Sequence, residues 1–403
     1  MQTTETLPTT STSLSFEDTS IAFSAKSDWE LKKTYWLFSI MNQNWLVKVG
    51  TSLIKTAFSL RLPITWVVKQ TIFEQFCGGE SIEDCQKTID KLHQYGIGTI
   101  LDYSVEGEKN EASFEATTQE ILRTIEKAAQ QPNSIPFCVF KVTGIAPFNL
   151  LEKIQAQQPL NPDEETAWQK VKQRVNTLCQ TAYQKNVRIF MDAEESWIQK
   201  TIDSLAYDMM RLYNKEKAIV YNTYQFYCHA TLQNYKQAIE MAQKEGFWLG
   251  AKLVRGAYME KERKRAKEKG YSDPIQPNKI STDTDFDEAL HWSISHLDHV
   301  AICAGTHNEY SSKLLTQLMQ KKGISPNDKR VFFAQLLGMS DHISYNLAKA
   351  GYNVAKYVPY GPVKAVMPYL FRRAEENTSV AGQASREYLL VKAEVKRRKM
   401  QVK

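Results

Sequence analysis

The chain has 403 residues, 42% hydrophobic and 24% charged, the balance of a globular protein large enough for one barrel with a helical extension or for two ordinary domains. No apolar run reaches the ~18 residues of a spanning helix. A net charge of +6, from 51 Lys and Arg against 45 Asp and Glu, is mild, whereas a nucleic-acid binder concentrates its basic residues in a patch. The densest basic stretches, Glu260–Lys269 and Lys392–Lys403, mix in acids or sit at the terminus, and read as solvated helix faces.

Cysteines 77, 85, 138, 179, 228 and 303 form no Cys-x-x-Cys and mostly lie in apolar contexts, as reduced core residues do. His296 and His299 have no third ligand at matching spacing, so no metal site is expected. Residues 1–27 are rich in Thr and Ser and lack the basic and apolar regions of a signal peptide. They are expected to form a disordered polar tail, and the chain to be cytoplasmic.

Residues 28–95 read as a helical arm. Ser27 or Asp28 can cap a helix from Trp29. The stretch Trp45–Phe73 is amphipathic with few acids and is broken near Pro63. It suits an arm packed on a larger body, or a peripheral contact with the inner face of the cytoplasmic membrane. Ser81 opens Ser-Ile-Glu-Asp, a capping-box pattern, and the helix should run to His93 before Gly96 and Gly98.

From residue 96 the pattern alternates. Short apolar runs occur at Thr99–Tyr103, Phe137–Val142, Arg188–Asp192, Ala218–Tyr224, Trp248–Val254, Val300–Ala304, Val331–Leu336 and Val354–Val358. Apolar at nearly every residue, they suit parallel strands buried on both faces. Charge-rich helical segments separate them. Eight such units predict a distorted (β/α)8 barrel over residues 96–390, with a basic tail at 391–403. A doubly wound sheet would want a Gly-rich turn after an early strand, and no Gly-x-Gly-x-x-Gly occurs.

Active-site residues of such barrels gather where strands end. Lys141, Asp192, Glu194, Asn222, Gln225, Lys252, Arg255, Gln335 and Tyr357 stand on or just past the strands. Buried cations want anionic company, from Asp192 or from a ligand. In the segment after the last strand, Tyr369 lies three and four residues before Arg372 and Arg373, and Glu376 follows them by four and three. Two guanidinium forks suit a small carboxylate or phosphate, although an ordinary surface network has the same spacing.

At these residues the chain resembles the proline dehydrogenase family. Ala251–Tyr258 (AKLVRGAY), Ala304–Asn308 (AGTHN), Gln335–Asp341 (QLLGMSD), Tyr357–Val363 (YVPYGPV) and Tyr369–Asn377 (YLFRRAEEN) carry the resemblance, with Asp192–Ser196 (DAEES) upstream. The wording is nearer to the monofunctional enzymes than to the bifunctional ones. The resemblance implies oxidation of L-proline to Δ1-pyrroline-5-carboxylate, with FAD held non-covalently at the barrel mouth and electrons passed to a quinone. A pyrroline-5-carboxylate dehydrogenase would act next. It further implies that Arg372, Arg373 and Lys141 take the proline carboxylate, that Tyr357, Tyr369 and Leu253 shape the pocket, and that Asp192 and Glu376 orient the cations. Lys252, Asn222, Val254, Arg255, Gly256, Ala257, Tyr258, Thr306, His307, Asn308 and Gln335 match cofactor-contact positions. Asn222 stands where other members have Gln, and Met259 where some have an aromatic residue. A tyrosine at 357 favours proline over 4-hydroxyproline on steric grounds. A barrel enzyme acting on a phosphorylated substrate would want a Gly-rich phosphate loop, and Gly338 and Gly361 are isolated. A non-catalytic sensor would have no need of the full set of site residues.

Overall fold

A computed structural model of the chain describes residues 14–60, 62–105, 110–379 and 383–401. The side chains of 44, 48, 58, 375–379 and 383–385 lie outside that description. The eight strands are β1 (Ile97–Tyr103), β2 (Phe137–Lys141), β3 (Arg188–Asp192), β4 (Val220–Gln225), β5 (Leu249–Val254), β6 (Val300–Gly305), β7 (Val331–Leu336) and β8 (Val354–Tyr360). They close in sequence order into one parallel barrel. The seam joining β1 to β8 is paired from Ile97↔Val354 to Tyr103↔Tyr360. All eight fall within two residues of the apolar runs at their starts and ends, because strands covered by helices outside and side chains inside must be apolar on both faces.

Alternation then assigns the two faces. Ile100, Phe137, Val139, Phe190, Tyr221, Ala301, Cys303, Phe332, Ala334 and Ala355 fill the interior. Leu101, Ile189, Val220, Leu249, Ala251, Val300, Val331 and Val358 join the core under the helices. An aromatic layer plugs the lower interior, with Phe137 stacked on Phe190 at 4.4 Å and edge-on to Phe332 at 4.8 Å. Arg188 meets the layer from the N-terminal end, its guanidinium 5.5 Å from the Phe137 ring centre, and the other charged interior side chains sit at the C-terminal ends of the strands.

Residues expected as tails are in part structured. Asp18 caps the short helix Thr19–Ala22, and Phe16 and Phe23 are buried. The C-terminal helix Gln383–Gln401 runs through the expected basic tail. It packs along the helix Asp28–Met41, where Tyr35 stacks on Tyr388 at 5.3 Å and Arg398 pairs with Asp28 at 2.8 Å. Polar composition concealed both segments, since each is anchored by only a few apolar residues, such as Phe23 against Leu390 and Val391.

Ser27 and Glu30 form the capping box that opens the helix Asp28–Met41. Ser81 accepts from the Asp84 amide at 3.2 Å, but the regular helix begins at Gln86, after a turn. The amphipathic stretch folds as helices Asn44–Ser59 and Thr65–Val68 and a π-helical turn Lys69–Phe73. Its buried face, with Val47, Val68 and Phe73, packs on Val363, Val366, Tyr369 and Leu370 of the helix Val363–Ser379 after β8. The arm therefore clamps the helix that carries Arg372 and Arg373.

Candidate functional site at the barrel mouth

The strand pairing sets Lys141 beside Asp192 across β2 and β3. Lys252 enters the same interior from β5 and forms an ion pair with Asp192. Its ammonium also donates to the Tyr357 hydroxyl at 2.6 Å, and that hydroxyl reaches the same carboxylate oxygen at 3.3 Å. Lys252 further lies 4.6 Å from the centre of the Tyr357 ring. Burial, then the Asp192 charge, pushes the Tyr357 phenol well above its ordinary pKa, so it stays protonated.

The helix after β8 adds the arginines. Arg373 is buried, its guanidinium 5.3 Å from the Tyr369 ring centre. This is the contact that their four-residue spacing implied. Tyr258, in the loop after β5, is close enough to Lys141 and Arg372 for both charges to act on its phenol. Lys141, Asp192, Lys252, Tyr258, Tyr357, Tyr369, Arg372 and Arg373 are thus built into one end of the barrel. The Glu376 side chain lies outside the described residues.

On the neighbouring rim Arg255 bonds Asp283 at 2.6 Å, Thr306 Oγ1 at 2.7 Å and Ser311 Oγ at 2.9 Å. Gly256 has φ +133°, and a Cβ there would come within 2.5 Å of the Tyr227 ring, so only glycine lets the loop before Ala257 pass. Asn308 caps the helix Glu309–Lys321 through Ser311 N at 3.1 Å. The His307 Nδ1 lies 2.9 Å from Ser340 Oγ. Burial, then Lys356 and Arg373, pulls the His307 pKa down to about 3, which leaves a neutral imidazole.

Three sequence-derived site residues face the wrong way. Asn222 lies on the outer face of β4 and donates to Asp203 of the helix Ser196–Tyr213 at 2.8 Å. Leu253 packs with Leu249 and Ala251 under the helices. Gln335 also points outward, donating to the Thr306 carbonyl at 3.1 Å and accepting from Ser344 at 2.7 Å. Each is one residue out of phase with an interior position, and in a strand one residue reverses the face. Val254 keeps the interior phase of Lys252.

The same alternation brings in Asp102, which the strand ends did not reveal, and places Gln225 and Glu194, both noted among the polar strand-end residues, beside the site. Asp102 projects inward from β1 and accepts from Ser104 Oγ at 2.7 Å. Burial raises its pKa, while Lys141 acts against that rise. Gln225 projects inward from β4 and donates to the Glu194 carbonyl at 2.7 Å. The Glu194 carboxylate takes the Thr143 amide at 3.0 Å and also the Thr143 hydroxyl. Burial pushes its pKa up to about 7. Counting by two from Tyr221 sets Gln225 on the interior phase, and counting by two from Ile100 would have found Asp102.

The mouth therefore offers a cluster of cations and three tyrosine rings over a plugged barrel. Next to it lie Arg255 and the N-terminal end of a 13-residue helix. Helix N-termini and guanidinium groups favour phosphate. This donor set fits an anionic dinucleotide on the rim and a small carboxylate over the interior.

A (β/α)8 barrel with a cationic mouth is the class that fold and site define. A profile of the family "Proline dehydrogenase" matches residues 85–386. The chain is 32% identical to a mitochondrial proline dehydrogenase of Dictyostelium discoideum, over 94% of this chain and 74% of that protein. It is 42% identical to a mitochondrial proline dehydrogenase of Homo sapiens, over 59% of this chain and 40% of that one. The solved structure of proline utilization A from Bdellovibrio bacteriovorus superposes with a TM-score of 0.72 at 18% identity, covering 90% of this chain and 38% of that one. At that identity the likeness shows the fold. The chain belongs to the proline dehydrogenase family.

Proposed function

We propose that the chain oxidises L-proline to Δ1-pyrroline-5-carboxylate, with non-covalently held FAD. The observation that carries this reading is the buried Lys252–Asp192–Tyr357 cluster between Lys141 and the Tyr369–Arg373 pair. A bound flavin would accept the hydride from the ring carbon beside nitrogen. Arg372, Arg373 and Lys141 take the carboxylate, which fixes which carbon faces the cofactor. The Tyr357 and Tyr369 rings wall the pyrrolidine and leave little room for a 4-hydroxyl. The surrounding cations disfavour the ammonium form of the substrate and so ease loss of its proton. Asp192 holds Lys252 and Tyr357 in place. Arg255, Thr306, His307, Asn308 and the backbone at Gly256 hold the dinucleotide.

Electrons then leave to a quinone, and a pyrroline-5-carboxylate dehydrogenase consumes the product. The arm supports a membrane setting. Its outer face exposes Trp29 at 69%, Trp36 at 69%, Trp45 at 64% and Trp66 at 66%. The sequence has no acid from Leu31 to Phe73, while Lys32, Lys33, Lys48, Lys55, Arg61 and Lys69 occur there. Such a composition suits an anionic membrane surface on the cytoplasmic side. Among the described residues no helix is long and apolar enough to cross a membrane.

The test is an anaerobic visible spectrum of the purified protein before and after L-proline. The reading expects an oxidised flavin spectrum that bleaches. A flavin that stays oxidised overturns the substrate, and a protein that neither carries nor takes up FAD overturns the cofactor.

A further inference from the structure

The turn after β7 is strained and is held from an unexpected direction. Ser340 has φ +52°, a left-handed conformation rare for a serine, and it is buried. Its amide donates to the carboxylate of Glu387, on the first turns of the C-terminal helix. Its carbonyl accepts from the Ser344 hydroxyl at 3.2 Å. Its own hydroxyl meets His307 Nδ1 at 2.9 Å. Glu387 is therefore two hydrogen bonds away from a ring on the cofactor rim.

The same helix holds the other side of that rim. Arg386 donates to Glu309 at 2.8 Å, and Glu309 begins the helix that directly follows His307 and Asn308. His342 bonds Glu309 at 3.0 Å as well. Consecutive residues of one distant helix thus fix both loops that flank His307. A neutral imidazole has one donor and one acceptor nitrogen, and the partner of Nδ1 decides which edge is which. The Ser340 hydroxyl, able to donate or accept, pins the rotation of the ring through Nδ1.

We propose that Glu387 and Ser340 are positioning residues for His307, so that docking of the C-terminal helix governs how tightly the barrel mouth holds flavin adenine dinucleotide. The inference rests on the flavin reading above. It requires no contact between the C-terminal helix and proline.

The experiment titrates FAD into deflavinated protein, following quenching of flavin fluorescence, with circular dichroism as a fold check. Ser340→Ala and Glu387→Ala should each weaken FAD binding about tenfold, equivalent to about 1.4 kcal/mol. Glu387→Gln keeps an acceptor oxygen for the Ser340 amide and should restore most of the affinity. The KM for proline at saturating FAD should stay at the wild-type value. Wild-type affinity in Ser340→Ala overturns the proposal even if Glu387→Ala does not fold. An increase in proline KM with unchanged FAD affinity overturns it too. If wild-type protein binds no FAD, the flavin reading itself fails, a result distinct from the others.

Discussion

Lys252 and Asp192 are both nearly buried, and each is tolerable only because of the other. Tyr357 takes a second N–H of the ammonium and orients the pair. Asp192→Ala should therefore destabilise the protein by about 3–5 kcal/mol, the cost of leaving a buried cation unpartnered. Urea unfolding measures it, and a loss below about 1 kcal/mol would show that water reaches Lys252. Arg372→Ala and Arg373→Ala test the carboxylate assignment. Each should leave the flavin spectrum intact and raise the KM for proline by about tenfold to a hundredfold, the worth of one charge-assisted hydrogen bond. Normal proline kinetics in both variants would remove the arginines from the substrate site. Gly256→Ala should cost flavin affinity before stability, because the strain falls on the rim loop beside Tyr227.

The helical arm outside the barrel matters to the mouth. The arm grips the helix Val363–Ser379 through Val68, Phe73, Val366 and Leu370. Phe73→Ala should cost about 3–5 kcal/mol if the cavity stays open, and should raise the KM for proline through the loosened arginines. A stability loss with unchanged KM would mean that the barrel alone holds that helix. The arm's other face is the membrane hypothesis. Trp45→Glu together with Trp66→Glu should abolish sedimentation with anionic liposomes while leaving turnover with a soluble acceptor unchanged. Both positions are solvent-facing, so the fold has little to lose. Equal sedimentation of variant and wild type would reject that surface.

At the scale of the whole molecule, burial of carboxylates inside the barrel makes stability depend on pH. Glu194 titrates near 7 when folded, against an ordinary value of 4.5. The folded state thus holds this proton more tightly than the unfolded one. The stability it contributes is complete below about pH 4.5 and is lost as pH rises through about 7. Glu194→Gln should flatten that slope. Unfolding free energies at pH 5 and pH 8 should differ by up to about 3 kcal/mol less in the variant than in wild type. An identical slope would mean that another acid, such as Asp203, carries the effect.

Barrel, strand order and the identity of the cationic cluster were legible in the chain itself. Eight short runs apolar at nearly every residue, each followed by a charge-rich helical segment, mark a barrel of strands buried on both faces, and a pair such as Tyr369 and Arg373 meets through helical spacing alone. Tertiary structure decided what depends on phase and on distant partners. It turned Asn222, Leu253 and Gln335 away from the interior and Asp102 and Gln225 towards it, because one residue of register reverses a strand's faces. It made helices of segments on both sides of the barrel that polar composition marked as tails. It also joined Glu387 to Ser340 and His307, which neither spacing nor periodicity relates, since only closure of the barrel brings β6, β7 and the C-terminal helix to one place.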